Sequence, residues 1–413
     1  MGFEPVTQDR LMRHATAGSA EFKRINRAML AGGFSAFALL YTIQPLLPVL
    51  SQQFALSPAQ SSWSLSISTL AMALSLILSG ALSDRIGRKK LMTWALVGAA
   101  AFTLLSAFSR NFTELLVLRA LLGFALGGMP ALAMAYLKEE VEPRSLGLAM
   151  GLYIGGTALG GMAGRMLASV ISEHASWRVA MAVLGAAGLY AAWEFWRSLP
   201  ASRNFTPGKP GWQALAGGAR AHLRDDGLPW LFAVGFLLMG VFVSLYNYIG
   251  YRLMDAPFGL SQSAIGAMSV LYLIGMFSAV WAGRLADRLG RRNVLWLVMA
   301  LMQGGLVLTL SNALPVIVAG MALFTFGFFA THTVASSWVG LRARAPQATA
   351  SALYLFFYYM GSSVIGSLCG LVWSAGGWLT VVAVLAGALG VAMLITLRLR
   401  GLAPLPEALP APA

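Results

Sequence analysis

The side chains most able to do chemistry in this sequence belong to a charged ten-residue segment that occurs twice, at 80–89 and at 283–292. The two copies stand 203 residues apart and are identical at six of their ten positions: two glycines, two arginines, a leucine and an aspartate. Each copy follows one long apolar run and precedes another. A repeat of this kind, at matching places in two similar halves, indicates an internal duplication in a membrane protein.

Two other ionisable side chains lie inside apolar runs. A charge at the centre of a membrane costs about 2.5–3.5 kcal/mol, so Arg119 is expected to face a protein interior or water. The alternative is that its guanidinium snorkels to the membrane surface near Glu114. His332 lies near the middle of a later run, and no Asp or Glu occupies such a position. His332 is therefore the best candidate for a group that titrates within the membrane; the alternative is a neutral, hydrogen-bonded packing histidine.

Amide and aromatic side chains inside the apolar runs suggest a binding cavity. Polar groups are costly in lipid, so these side chains should point inwards, although an aromatic belt at the membrane surface is the alternative for each ring. The predicted cavity residues are Tyr41, Gln44, Tyr153, Tyr246, Asn247, Tyr354 and Tyr358. With the charge of Arg119, such a cavity suits a neutral, zwitterionic or anionic organic solute better than a polycation.

Membrane-spanning helices must position these residues. The 413 residues are 58% hydrophobic and 11% charged, against about 25% charged residues in soluble domains. The sequence predicts an all-α membrane protein whose twelve spans, each long enough for a hydrocarbon core about 30 Å thick, lie at 28–50, 62–82, 91–109, 115–137, 146–170, 177–197, 229–250, 264–285, 293–311, 314–340, 348–372 and 377–397. The single cysteine, Cys369, cannot form an intrachain disulfide.

Basic residues predict the orientation. Of the 29 Lys and Arg, 24 fall in the two tails and in the loops after the even-numbered spans, and four fall on the other side. By the positive-inside rule, both termini are cytoplasmic. The predicted domains are a cytoplasmic tail (1–27), a six-helix bundle (28–197), a cytoplasmic linker (198–228) with a short helix near Trp212–Leu223, a second six-helix bundle (229–398) and a cytoplasmic tail (399–413).

Twelve spans, a central linker and the repeated segment after spans 2 and 8 resemble the major facilitator superfamily. The stretch Tyr41-Thr-Ile-Gln44-Pro45-Leu-Leu-Pro48 and the later Gly151-Leu-Tyr153 are similar to YnfM-type bacterial inner-membrane transporters, which are grouped with drug and metabolite efflux proteins. The resemblance implies two pseudo-symmetric bundles that rock about a central site.

The resemblance also implies roles for particular residues. Asp84 and Asp287 are expected to meet the positive N-terminus of a helix in the opposite half, near residues 348 and 145, while Arg85, Arg88 and Lys89 pair with Glu139 or Glu140. Ordinary positive-inside charge is the alternative. The latch so formed comprises Gly80, Asp84, Arg85, Gly87, Arg88, Gly283, Asp287, Arg288, Gly290 and Arg291. Arg119 resembles the fourth-span arginine that is linked to proton coupling in this superfamily. His332 is the expected proton carrier by elimination and not by resemblance, since many drug/proton antiporters carry a carboxylate in the first span instead.

The fifth span resembles the antiporter motif Gly-Pro-x-x-Gly-Gly of the superfamily. Here the motif reads Gly156-Thr157-Ala-Leu-Gly160-Gly161, so that Thr157 replaces the proline. Plain helix packing at small residues is the alternative reading of these glycines.

The sequence therefore predicts a secondary transporter of the bacterial inner membrane that exports small organic molecules, by proton antiport and alternating access. Motifs of this fold do not fix the direction, so import of a metabolite by a proton symporter or a facilitator is the alternative, and a lipid-handling or sensor protein is a more remote one. No nucleotide-binding loop, metal site or nucleophile triad is present in the sequence. We expect a monomer that is not an enzyme, holds no cofactor and binds no nucleic acid; its partners are a small-molecule substrate, protons and the lipid bilayer.

Overall fold

The computed structural model describes residues 14–205, 212–343 and 347–402, without the side chains of residues 80, 81, 84, 212–215, 347 and 348. Throughout these described ranges the regular structure is helical, with one isolated bridge between Ala15 and Val141. The chain forms two compact units. The first contains residues 14–43 and 74–205, and the second contains residues 44–73 and 212–402. The stretch 44–73 thus packs with the second unit, and the division into bundles 28–197 and 229–398 stays a prediction.

Eight helices account for the first half of the chain. Their bounds are α1 (Ala20–Tyr41), α2 (Leu47–Phe54), α3 (Pro58–Ile86), α4 (Arg88–Ser106), α5 (Phe112–Leu126), α6 (Met129–Glu140), α7 (Pro143–His174) and α8 (Trp177–Ser198), with a 3-10 turn at Gln44–Leu46. The predicted first span is therefore α1 and α2 joined by that turn, and the fourth is α5 followed by α6. Both breaks lie beside proline: Pro45 and Pro48 in the first span, and Pro130 in the fourth. Proline cannot donate a backbone hydrogen bond.

Seven helices account for the rest. They are α9 (Trp212–Leu223), α10 (Leu228–Met254), α11 (Gln262–Ala267), α12 (Tyr272–Leu289), α13 (Arg291–Leu308), α14 (Leu314–Arg342) and α15 (Gln347–Arg400), with a 3-10 turn at Met268–Leu271. The short helix predicted in the linker is present as α9. Within α15, Gly376 and Gly377 leave helical geometry, and Gly377 has φ of 65°. This break lies between the predicted eleventh and twelfth spans.

The length and the apolar composition of each helix show whether it can cross a membrane. In the described residues, nine helical segments are long and apolar enough to cross a membrane, and one of them, Thr349–Arg400, contains both predicted spans 11 and 12. The other two predicted spans are α4 and α13, which have 19 and 18 residues. Each begins with consecutive basic residues from the repeated segment, which lowers its average hydropathy. The described helices accordingly form twelve spans, as the sequence predicts.

The outer surface is apolar. Phe108, Phe277, Leu379 and Leu394 are each at least 66% exposed, and many other large apolar side chains on these helices are exposed as well. A soluble protein rarely exposes such extensive apolar area, whereas lipid tails solvate it. The helices bond their backbone groups internally, which the hydrocarbon region requires.

Candidate functional site

The repeated segment forms the same tight turn in each half. Gly87 lies between α3 and α4 with φ of 92°, and Gly290 lies between α12 and α13 with φ of 82°. Positive φ strains any residue with a side chain, so the turn explains the repeated glycine.

The charged residues of the two copies have different partners. In the first copy, the Arg88 Nε and Nη2 atoms donate to the two Glu139 oxygens at 2.6 and 2.5 Å, and Arg88 also donates to Ser83. In the second copy, Arg291 pairs with Asp287 on the adjoining turn at 3.0 Å and donates to Ser337. The first copy therefore ties α4 to α6, whereas the ion pair of the second copy is local.

The other predicted latch residues are exposed, half-buried or outside the part of the chain that the structure describes. Arg85, Asp287 and Arg288 are exposed, and Gly283 is half-buried. The burial of Gly80, the side chain of Asp84 and the side chain at position 348, near the predicted helix N-terminus, lie outside the described part of the structure.

The last basic residue of each copy binds the end of the last helix of its own half. Lys89 Nζ donates to the Leu199 carbonyl at 2.5 Å, and Arg292 Nη1 donates to the Arg400 carbonyl at 3.3 Å. Carbonyls at a helix C-terminus lack an amide partner and carry partial negative charge. Lys89 was predicted to pair with Glu139 or Glu140, and its described hydrogen bond goes to this carbonyl instead.

Arg119 is fully buried in the first unit. It lies on α5, and its Nη1 and Nη2 atoms donate to the Leu39 and Leu40 carbonyls at 3.1 and 2.5 Å. These carbonyls are in the last turn of α1, just before the 3-10 turn. A guanidinium with no exposed surface is not snorkelling, so that alternative for Arg119 is wrong. Arg119 instead stabilises the point where the first span breaks.

A second buried arginine, Arg165, is not among the predicted site residues. The sequence analysis counts it among the four basic residues on the extracytoplasmic side. Arg165 lies inside α7, is 3% exposed, donates to the Gly161 carbonyl at 2.7 Å and has its guanidinium carbon 4.2 Å from the centre of the Tyr41 ring. Tyr41 is the last residue of α1, so Arg119 and Arg165 both act on one end of that helix. The missed signal was the position of Arg165 within the predicted span 146–170.

The fifth-span glycines place α7 directly against α1. A Cβ atom added at Gly156, Gly160 or Gly164 would lie 2.8, 2.0 or 2.5 Å from a backbone oxygen of α1. Tyr153, one turn earlier on α7, packs its ring against Gly33 of α1, and its buried hydroxyl has no hydrogen-bond partner among the described residues. The small residues of this motif serve close helix packing.

His332 lies in an aromatic cluster of the second unit. Its Nδ1 atom is 3.0 Å from the Tyr354 hydroxyl, and its ring is 4.7 Å from the Tyr358 ring and 6.3 Å from the Phe328 ring, centre to centre. His332 remains half-buried, whereas Tyr354 and Tyr358 are buried. The imidazole is thus oriented by a tyrosine hydroxyl and keeps some exposed surface.

The same cluster extends along α10. Phe242 stacks on Phe328 with ring centres 3.6 Å apart, and Tyr246 lies 5.0 Å from Phe242. The Tyr246 hydroxyl is 2.8 Å from Thr325 Oγ1 on α14. Aromatic rings and hydroxyls therefore form one continuous cluster between α10, α14 and α15.

Gln44 and Asn247 form a buried polar pair in the second unit. Gln44 Nε2 donates to Asn247 Oδ1 at 2.8 Å, and both residues are buried. The Asn247 Nδ2 atom is buried with no partner among the described residues. A buried unsatisfied donor costs about 1–3 kcal/mol, so a bound acceptor would be stabilised there.

Comparisons with known proteins agree with this architecture. Residues 29–366 match the Major Facilitator Superfamily. The chain belongs to this superfamily. The inner membrane transport protein YnfM of Escherichia coli is 48% identical over 382 residues, which cover 92% of each chain. The uncharacterised MFS-type transporter YybF of Bacillus subtilis is 44% identical over 382 residues, covering 92% of this chain and 95% of YybF. A crystal structure of a mutant of the nucleoside transporter NupG aligns with a TM-score of 0.76 at 16% identity, covering 91% of this chain and 99% of that one, and shares the fold.

As a member of the superfamily, the protein is a multi-pass membrane transporter of small molecules and not an enzyme. Its predicted site residues divide between the two compact units. The first unit holds Arg119, Tyr41 and Tyr153. The second unit brings together His332, Tyr354 and Tyr358 in one cluster, joins Tyr246 to it through Phe242, and pairs Gln44 with Asn247.

Proposed function

We propose that this superfamily member exports small organic molecules across the bacterial inner membrane by proton antiport, with both termini in the cytoplasm. The proposed cavity consists of Tyr41, Gln44, Tyr153, Tyr246, Asn247, Tyr354 and Tyr358. The proposed proton carrier is His332, with Arg119 supporting the same coupling by fixing the end of α1.

The observation that carries the proton-coupling proposal is the environment of His332. It is half-buried, lies within α14 and has its Nδ1 atom within hydrogen-bond distance of Tyr354. A histidine changes its charge near physiological pH, and an ionisable residue within a membrane span is by default a candidate functional group. Tyr354 fixes the orientation of the His332 imidazole through Nδ1. The other ring nitrogen of His332, Nε2, is therefore the atom that would exchange a proton.

Unpartnered polar atoms support the proposed cavity. The buried Tyr153 hydroxyl and Asn247 Nδ2 each have no hydrogen-bond partner among the described residues. Within the second unit, Asn247 Nδ2 and the rings of Tyr246 and Tyr358 offer a hydrogen bond and apolar surface to an organic solute. The buried guanidinium of Arg119 favours neutral, zwitterionic or anionic solutes over polycations.

The latch is proposed on the repeated turns. The bidentate Arg88–Glu139 pair holds α4 to α6, and Asp84 is proposed to reach the N-terminus of a helix in the opposite half. A carboxylate at that position is stabilised by the unsatisfied amides of the helix end. Breaking the proposed contact of Asp84 with that helix end would destabilise one conformation of the transport cycle.

The test is proton movement in proteoliposomes that contain the purified protein. A panel of neutral, zwitterionic and anionic organic compounds is added, and the internal pH is followed with a dye. Antiport moves protons against the direction of the compound, symport moves them with it, and a facilitator moves none. His332→Gln keeps the size and the hydrogen bond to Tyr354 but cannot titrate.

We expect His332→Gln to bind compounds and to lose the dependence of transport on a proton gradient. Gln303→Ala is the matched control, because Gln303 is a half-buried polar residue on α13 outside the His332 cluster. Gradient-driven transport by His332→Gln at the wild-type rate would refute its role. Compound and proton movement in the same direction would refute antiport.

A further inference from the structure

The second unit carries a cluster of arginines and tryptophans where α10 and α13 begin and α15 ends. The Arg398 guanidinium lies 4.5 Å from the centre of the Trp230 ring, and that of Arg400 lies 6.0 Å from the Trp296 ring. Arg292 donates to the Arg400 carbonyl. We call Arg292, Arg398, Arg400, Trp230 and Trp296 the Arg–Trp patch.

The Arg–Trp patch is strongly positive. Among the described residues, none of its three arginines forms an ion pair with a carboxylate. Arg400 donates to the neutral Asn293 Oδ1 atom at 3.2 Å. The three guanidinium groups therefore keep donors that can bind an anion from outside the chain.

The duplicated half provides an internal comparison. Arg197 stands 203 residues before Arg400 and also lies over a tryptophan, Trp193, at 5.4 Å. In that half, however, Glu194 lies one turn away on α8 and pairs with Arg27 at 3.0 Å. The position equivalent to Glu194 in the second half is Leu397, which is 52% exposed. Both halves place an arginine over a tryptophan here, although the two rings are not at equivalent positions, because Thr396 stands 203 residues after Trp193. Of the equivalent positions 194 and 397, only 194 holds a carboxylate.

The surroundings of the Arg–Trp patch match a phospholipid better than a soluble anion. Arg398 and Arg400 are exposed, and Trp230 and Trp296 are half-buried near the starts of their helices, a position typical of indole rings at the membrane surface. Leu394 and Leu397, in the last two turns of α15, are 66% and 52% exposed. Charged donors thus adjoin an apolar surface that can contact an acyl chain.

We propose that the Arg–Trp patch binds the phosphate of an anionic phospholipid of the cytoplasmic leaflet. Guanidinium groups bind phosphate through paired hydrogen bonds, and the tryptophan rings hold two of them in place. Basic pockets between helices on this side of a membrane are suited to anionic headgroups. The assignment of the cytoplasmic side rests on the predicted topology and does not depend on the transported substrate.

The test measures lipid binding by native mass spectrometry of the full-length protein in detergent, with phosphatidylglycerol, cardiolipin or phosphatidylcholine added. Glycerol phosphate is the soluble control. The variants are Arg292→Gln/Arg400→Gln and, as the matched control from the other half, Arg197→Gln. We expect the double variant to bind anionic lipid about thirtyfold more weakly, from about 1 kcal/mol for each basic residue at 1.4 kcal/mol per tenfold. Arg197→Gln should stay within about twofold of the wild type, because its half retains Glu194.

Equal binding of anionic and zwitterionic lipid by the wild type, or equal loss in Arg197→Gln, would overturn the proposal. Binding of glycerol phosphate as tightly as lipid would also overturn it, because the site would then be one for a soluble phosphate. If the double variant does not fold, Trp296→Leu serves instead, since it keeps every charge and removes one ring. It should weaken anionic-lipid binding, and wild-type affinity in this variant would count against the patch.

Discussion

Replacing Gly160 by alanine tests the tight contact between α1 and α7. A Cβ atom at Gly160 would lie 2.0 Å from the Phe34 carbonyl oxygen and 2.6 Å from two further backbone atoms of Phe34. Non-bonded carbon contacts are optimal at about 3.5–4.0 Å, so the two helices would have to separate by about 1 Å or more. The clashing atoms belong to the backbone of a helix and cannot rotate away.

The expected loss of stability in Gly160→Ala is the difference between two opposing effects. Overpacking a tight contact costs about 1–3 kcal/mol, and the clash with backbone places Gly160→Ala at the upper end. Alanine also gains about 1 kcal/mol over glycine in a helix, so the net loss is about 2 kcal/mol. In Gly151→Ala, on the same helix, the added Cβ atom meets no atom within 4 Å. This variant therefore gains helix propensity without a clash.

The assay is thermal unfolding of the purified variants in one detergent, followed by tryptophan fluorescence. The apparent midpoint should fall for Gly160→Ala and rise or stay unchanged for Gly151→Ala. Gly164→Ala and Gly156→Ala, with Cβ contacts of 2.5 and 2.8 Å, should be affected less, in that order. Equal midpoints for Gly160→Ala and Gly151→Ala would refute the close approach of α1 and α7.

Three further predictions concern charged residues. Arg119→Lys should lose about 1.5–3 kcal/mol of stability, the cost of one charge-assisted hydrogen bond, because an ammonium cannot reproduce the two-pronged contact with the end of α1; a wild-type unfolding midpoint and transport rate would contradict this. Burial by itself would raise the pKa of Asp225, but hydrogen bonds from Arg342 and two backbone amides hold it below its ordinary value. This stabilisation is present above the unfolded pKa and lost as the pH falls through the folded one, so Asp225→Asn should flatten the acid side of the midpoint-against-pH profile; an unchanged profile would contradict it. Asp84→Asn should impair transport far more than Lys90→Gln at equal membrane abundance, and equal rates would contradict the latch.

The sequence predicts the number and order of the spans because hydrophobic length is a property of each segment alone. It does not predict where a span breaks. The first span reads as one apolar run, yet α1 ends at Tyr41 and a 3-10 turn follows at Gln44–Leu46. Average hydropathy carries no information about the backbone hydrogen bonds that proline removes.

The same limit applies to the candidate site. That Arg119 lies in the interior follows from the cost of a charge in lipid. The hydrogen-bond partners of Arg119 cannot be predicted in this way, because the Leu39 and Leu40 carbonyls become available only where another helix ends. Arg165 was missed for a related reason, since its contact with Tyr41 depends on the packing of α7 against α1.

The duplication repeats a backbone turn without repeating its electrostatics. Position 139 holds a glutamate that pairs with Arg88, whereas the equivalent position, 203 residues later, holds Arg342. Arg291, the counterpart of Arg88, cannot pair with a second arginine and turns to Asp287 on its own turn. Arg342 is instead bound by Asp225, whose Oδ1 atom also accepts from the amides of Gly227 and Leu228 at the start of α10.

The end of the linker therefore supplies to the second half the carboxylate that α6 supplies to the first. Gly227 is part of this arrangement, because a Cβ atom there would lie 2.5 Å from the Arg342 Nε atom. A linker that served only as a tether would need neither the partly buried ion pair nor the glycine. Its last residues instead hold the start of α10 to the end of α14, so a change in the linker at Asp225 acts directly on the packing of the second unit.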